Sequence, residues 1–304
     1  MSKVHSVLVR AMHPHTLFRV FKYFIYSLLA VNAVLFFQED LLASREVFAN
    51  GVPWDRLAEA FSASLDTSAW LVLLLLFELE TAVIRDEDLA GALKWVMMVL
   101  NIAAYLFILW AFYGYITKFG VLSDTLPFTV DDVCSLVGSG FTWVQDLDQY
   151  PPLDATACAA LQGQDLLQIS GTEIIGTVDG IRAARNLTII DIINAADWLV
   201  IVALLEAEVY LQVKGLLTYR LLLSTKLTKG VLYTILFACA IYWGFLGDFL
   251  DFWDAFLWLI AFVFIEMNIF QWHEEIAEEQ AEERSGHGAM GQNQTKESGA
   301  HAIG

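Results

Sequence analysis

Six apolar stretches, each near the ~20 residues that cross hydrocarbon, are spread along this chain. They run over about 19–37, 67–85, 93–117, 193–213, 228–248 and 254–272. Backbone inside lipid must satisfy its own N–H and C=O groups, so stretches of this kind fold as helices. All five prolines (Pro14, Pro53, Pro127, Pro151, Pro152) fall outside them, and nothing removes a donor within a span. Hydrophobic residues make up 57% of the 304, well outside the soluble range. The first stretch starts near Phe21 without a small-residue cleavage site after it, and so reads as a retained span.

Three of the stretches repeat one pattern. Asp66 precedes Trp70, and Glu78 and Glu80 follow; Asn194 precedes Trp198, with Glu206 and Glu208; Asp254 precedes Trp258, with Glu266 and Asn268. In every copy the Asp or Asn lies four positions before Trp, and the later polar residues lie eight and ten after it. The other three stretches share a lysine near their start: Lys22, Lys94 and Lys229. The expected fold is an all-α polytopic membrane protein. Six transmembrane helices form three pseudo-repeated hairpins about a membrane-normal axis, with one small extracytoplasmic loop domain. The divisions are a segment 1–18, hairpin 19–85, hairpin 86–213 carrying an insertion at 119–191, hairpin 214–272, and an acidic helix end and tail over 273–304.

Orientation follows from lysine and arginine. Lys3, Arg10, Arg19 and Lys22 precede or open the first span, Arg85 and Lys94 flank the second connection, and Lys214, Arg220, Lys226 and Lys229 fill the fourth. The positive-inside rule puts both termini in the cytoplasm, of a bacterial inner membrane or a plasma membrane. The 119–191 insertion then faces an oxidising compartment, where Cys134 and Cys158 are expected to pair. Trp54-Asp-Arg-Leu-Ala-Glu-Ala-Phe61, in the shorter outer loop, reads as an interfacial amphipathic helix. The insertion and the acidic tail are candidate surfaces for protein partners. A formal charge of −18 without a basic patch excludes nucleic acid.

Carboxylates in apolar helices require partners, water or a function. At ~100° per residue, two residues two apart point to nearly opposite faces, whereas residues fourteen apart nearly coincide. Asp66 with Glu80, Asn194 with Glu208 and Asp254 with Asn268 therefore form a polar stripe along each helix. Glu78, Glu206 and Glu266 form a second set, with Arg85 and His273 seven residues beyond the first and last. One reading is a path for protons or small cations along the stripe, with the second set as a further ring or as counter-ions. The other is a non-transporting structural or assembly subunit, in which Lys22, Lys94 and Lys229 pair with the glutamates between helices.

Much chemistry is absent. The histidines (His5, His13, His15, His273, His287, His301) avoid the span centres, and no Cys-x-x-Cys, His-Glu-x-x-His, Gly-Lys-Ser or Gly-x-Ser-x-Gly pattern occurs. No enzyme activity and no cofactor are expected. The odd-numbered spans lack the proline-acid-base signature of mitochondrial carriers, and no span carries a base at every third position as voltage sensors do.

Overall fold

A computed structural model describes residues 14–48, 51–83, 91–214, 216 and 218–264. Arg85, Glu266, Asn268, His273 and the acidic tail lie outside the described residues. The chain divides into two compact units, Met1–Trp258 and Leu259–Gly304. In the second, residues 259–264 are described and are helical. All contacts given below lie within the first.

The first unit is mostly helix. The long helices are α1 (Pro14–Val47), α3 (Ser62–Glu78), α4 (Ala92–Ser123), α6 (Val178–Val213) and α7 (Tyr219–Leu246). A further helix, α8, covers 249–258 of this unit. Five of these are long and apolar enough to cross a membrane, and the protein is an integral membrane protein. Their apolar exposure suits lipid: Val31, Val34, Trp95, Val99, Ile102, Leu106 and Leu109 all stand out from the bundle, a surface that water would not tolerate. Hydroxyls within the helices turn back onto their own backbone, as Ser27 does to the Tyr23 carbonyl and Thr234 to the Gly230 carbonyl, each at 2.8 Å. That local bond satisfies the hydroxyl without a partner from solvent.

Helix α1 packs on α3, α3 on α4, α4 on α6 and α6 on α7. The start of α8 joins both ends of this series. Phe252 lies against Gly244 of α7, where an added Cβ would come within 3.1 Å of the ring. Asn32 of α1 donates to Asp254 Oδ1 at 2.8 Å.

Between α4 and α6 the chain builds a small domain around a four-stranded sheet in the order β1-β3-β4-β2, a departure from a purely helical chain. The strands are β1 (Thr125–Phe128), β2 (Thr142–Trp143), β3 (Leu166–Ile169) and β4 (Ile174–Thr177). Strand β1 pairs antiparallel with β3, β3 antiparallel with β4, and β2 parallel with β4. Pro127 is tolerated because β1 is an edge strand. A short helix, α5 (Ala155–Leu161), starts where the Asp154 carboxylate accepts from the Thr156 and Ala157 amides, a standard cap. Cys158 of α5 forms a disulfide with Cys134. Leu153, Leu161, Leu166 and Ile175 bury one face of this domain. On the other side Val144, Leu147, Ile169 and Ile174 share a core with Leu122, Ile181, Leu187 and Trp243 of the long helices, so the domain is seated on the bundle.

The helices outrun the apolar windows. Helix α6 starts at Val178, fifteen residues before the expected 193, capped by Thr177 Oγ1 accepting from the Gly180 amide at 2.9 Å. Its 36 residues amount to ~54 Å, far more than a ~30 Å hydrocarbon core. Helix α1 likewise continues ten residues past the expected end at 37, to Val47. Apolar windows register only lipid-facing turns, whereas these extra turns pack on the domain. The expected interfacial helix near Trp54 is instead a 3-10 turn (Trp54–Arg56) followed by a single turn, α2 (Leu57–Ala60). That turn is wedged against α4, where a Cβ at Gly114 would stand 2.0 Å from the Ala58 carbonyl oxygen.

Candidate functional site

The spacing of Asp and Trp has a local cause. Trp70 Nε1 donates to Asp66 Oδ1 at 3.0 Å, four residues earlier on α3. Trp258 is bonded in the same way to Asp254 on α8. One helical turn carries both groups, so the carboxylate orients the indole. The three indoles meet inside the bundle. The ring centres of Trp70 and Trp198 are 6.1 Å apart, and those of Trp198 and Trp258 are 6.5 Å apart. At such separations tilted rings attract one another.

On the side of these rings nearer the sheet lies a polar cavity lined by Asp66, Asn194 and Asp254. The first landmark of all three repeats thus faces one space. Asp148, Asp191 and Asp251 line it too, along with Tyr115, Trp243 and one base, Lys118. Its volume is about 60 Å³, enough for a few waters. Neutral donors reach most of the carboxylates. Tyr115 Oη stands 3.5 Å from Asp66 Oδ2, and Trp243 Nε1 donates to Asp191 Oδ1 at 3.2 Å. Lys118 forms an ion pair with Asp148, a residue of the sheet domain. Beside it, burial raises the Asp146 carboxyl above its ordinary value. The Leu147 amide opposes that shift, and Asp248 and Asp148 reinforce it.

The glutamates occupy the other end of the helices, each with its own partner. Glu78 is buried and accepts from Lys22 Nζ of α1 at 2.6 Å, with Tyr23 Oη at 3.1 Å. Glu80 lies in a π-helical turn, Leu79–Val83, with Asn101 Nδ2 of α4 at 3.5 Å. Glu206 accepts from Tyr105 Oη of α4 at 3.1 Å. Glu208 accepts from Lys229 Nζ of α7 at 2.8 Å. One rule covers all four. The earlier glutamate of each pair faces the long helix that precedes its own in the chain, and the later one faces the long helix that follows. Lys94 is exposed, unlike Lys22 and Lys229, which are buried. Each of the four carboxylates is engaged by a different hydrogen-bond partner.

Sequence reading missed Asn32, Tyr115, Lys118, Asp148 and Asp191. Asn32, a lone amide in an apolar run, was a usable signal, because such groups seek polar partners in lipid. Asp148 carried none, since nothing in its loop says that it reaches α4. Among the described residues no group of three or more His, Cys, Asp or Glu is arranged to hold a metal ion. Comparison with protein-family models, curated proteins and solved structures finds no match.

Proposed function

We infer that this protein moves protons or small cations across a membrane, entering through the cavity that Asp66, Asn194 and Asp254 share. The observation that carries this reading is the meeting of one landmark from all three repeats at one polar space. Chance placement of acids for snorkelling would scatter them outward instead. Six spans in three hairpins, with the 119–191 side outside and both termini cytoplasmic, accord with the packing series and the lysine-rich connections. The cavity is then the outer vestibule, and the indoles of Trp70, Trp198 and Trp258 form an apolar step below it. Protons suit the vestibule better than divalent metal. Asp66, Asp191 and Asp254 are engaged by indole, phenol or amide donors, whereas a hard divalent ion needs several oxygens pooled around it. Five carboxylates beside one ammonium cannot all stay ionised in a buried space without bound protons or cations.

A second reading rests on the Lys22–Glu78 and Lys229–Glu208 pairs. Each carboxylate there has a matched base on a neighbouring helix, an arrangement that sets the register between helices. Glu78 and Glu208 then serve assembly, as in a structural subunit that moves no ion.

Purified protein in liposomes tests the first reading through proton, Na⁺, K⁺ and Ca²⁺ flux. Flux that disappears in Asp66→Asn/Asp254→Asn, with folding retained, is the expected result. No flux of any of the four ions sinks it. Recovery of a stoichiometric partner from native membranes then favours the subunit.

A further inference from the structure

The vestibule has a neighbour. A second cavity, of about 40 Å³, lies between Ser44 of α1, Glu59 of α2 and Tyr150 of the sheet domain. Lys118 and Asp148 line both spaces, so their ion pair is a shared wall. One charge comes from each side of a junction. Lys118 belongs to α4, while Asp148 sits in the 145–150 turn of the sheet domain. That turn is stiffened by the Asp146–Gln149 bridge and by Tyr150 Oη donating to the Leu147 carbonyl at 2.6 Å. The side chains of Lys118 and Asp148 are 12% and 25% exposed, so the wall is mostly, but not wholly, sheltered from water.

We propose that the Lys118–Asp148 pair is the outer gate of the vestibule. In the arrangement seen here it is closed; when the 145–150 turn lifts from α4, the two cavities merge and open outward. A discrete charge contact suits a gate, because it is either made or broken. Removing one partner alone is costly, since it strands a buried charge. Lys118 has somewhere to go: Asp40 of α1 and Asp191 of α6 also interact with it electrostatically. Exchange of Asp148 for either acid would keep the ammonium paired while the turn moves. The gate gives the vestibule a regulated entrance, so its purpose rests on the transport reading, but its existence does not.

The test therefore reads access rather than flux. A reporter, Asn194→Cys, is placed in the full chain with Cys239→Ala, and a small membrane-impermeant cationic thiol reagent is added from outside. With the gate intact, labelling is slow. Asp148→Asn should speed it by roughly tenfold or more, given how strongly a buried pair favours contact. Asp148→Glu, which keeps the charge pair, should hold it slow. Lys118→Gln opens the same pair from the other side and replaces Asp148→Asn if that variant does not fold. Labelling at the parent's rate in the opened variants overturns the gate. So does an Asp148→Glu variant that labels as fast as Asp148→Asn. A working gate in a protein without flux would reject transport while leaving the gate in place.

Discussion

At the scale of single residues, the carboxylates differ in what holds them. Lys22 and Glu78 are both buried, with nitrogen and oxygen 2.6 Å apart. Cutting one partner of such a pair costs about 3–5 kcal/mol, whereas replacing both by apolar groups is near neutral. Lys22→Met should therefore lower the detergent melting temperature markedly, and Lys22→Met/Glu78→Leu should recover most of the loss. Equal losses in single and double variants would place the energy elsewhere. Asp66 is held by neutral donors, and Trp70 is the nearer at 3.0 Å. Trp70→Phe removes that bond and should cost about 1–3 kcal/mol, read as a shift in chemical denaturation. Asp146 gives a dependence on pH. Its folded value is raised, first by burial, so the folded state holds the proton more tightly. Its contribution is complete below the unfolded value of about 3.9 and is lost as pH rises through the folded value. Asp146→Asn should flatten that fall in a pH series of thermal melts.

Elements are held together by close approaches that composition does not reveal. Gly114 lets α4 touch the turn α2, because a Cβ there would stand 2.0 Å from the Ala58 carbonyl oxygen. Backbone cannot yield as a flexible side chain can. Gly114→Ala should cost about 1–3 kcal/mol through overpacking, whereas Gly120→Ala, facing open space on the same helix, should be nearly silent in the same melt. The glutamate pairs also act at this scale. Two residues two apart on a helix face opposite neighbours; hence Glu206 meets α4 and Glu208 meets α7. The π-helical turn that carries Glu80 alters the local angle but leaves that division between neighbours intact.

At the scale of the whole molecule, a sheet domain stands on a helical bundle and contributes one wall of the polar cavity. The Cys134–Cys158 bond lies within that domain, away from its shared core with the bundle. Replacing both cysteines by serine closes no loop in the unfolded chain and should cost about 2–4 kcal/mol. That loss should appear as faster amide exchange over 125–177, with the long helices unchanged. Exchange that rises equally everywhere would mean that domain and bundle unfold as one.

The sequence by itself determined that the chain lives in a membrane, because lipid demands long apolar helices and proline-free spans leave no alternative. It determined the spacing of Asp and Trp, since an i to i+4 hydrogen bond is a property of one helix, and it separated Glu78 from Glu80 by rotation alone. Local physics reaches that far. Which neighbour each carboxylate meets, how far α6 extends toward the sheet, and that Asp148 crosses from a loop to Lys118 were decided only by tertiary structure. Those outcomes depend on distances between segments remote in the chain, and no residue pattern along one segment encodes them.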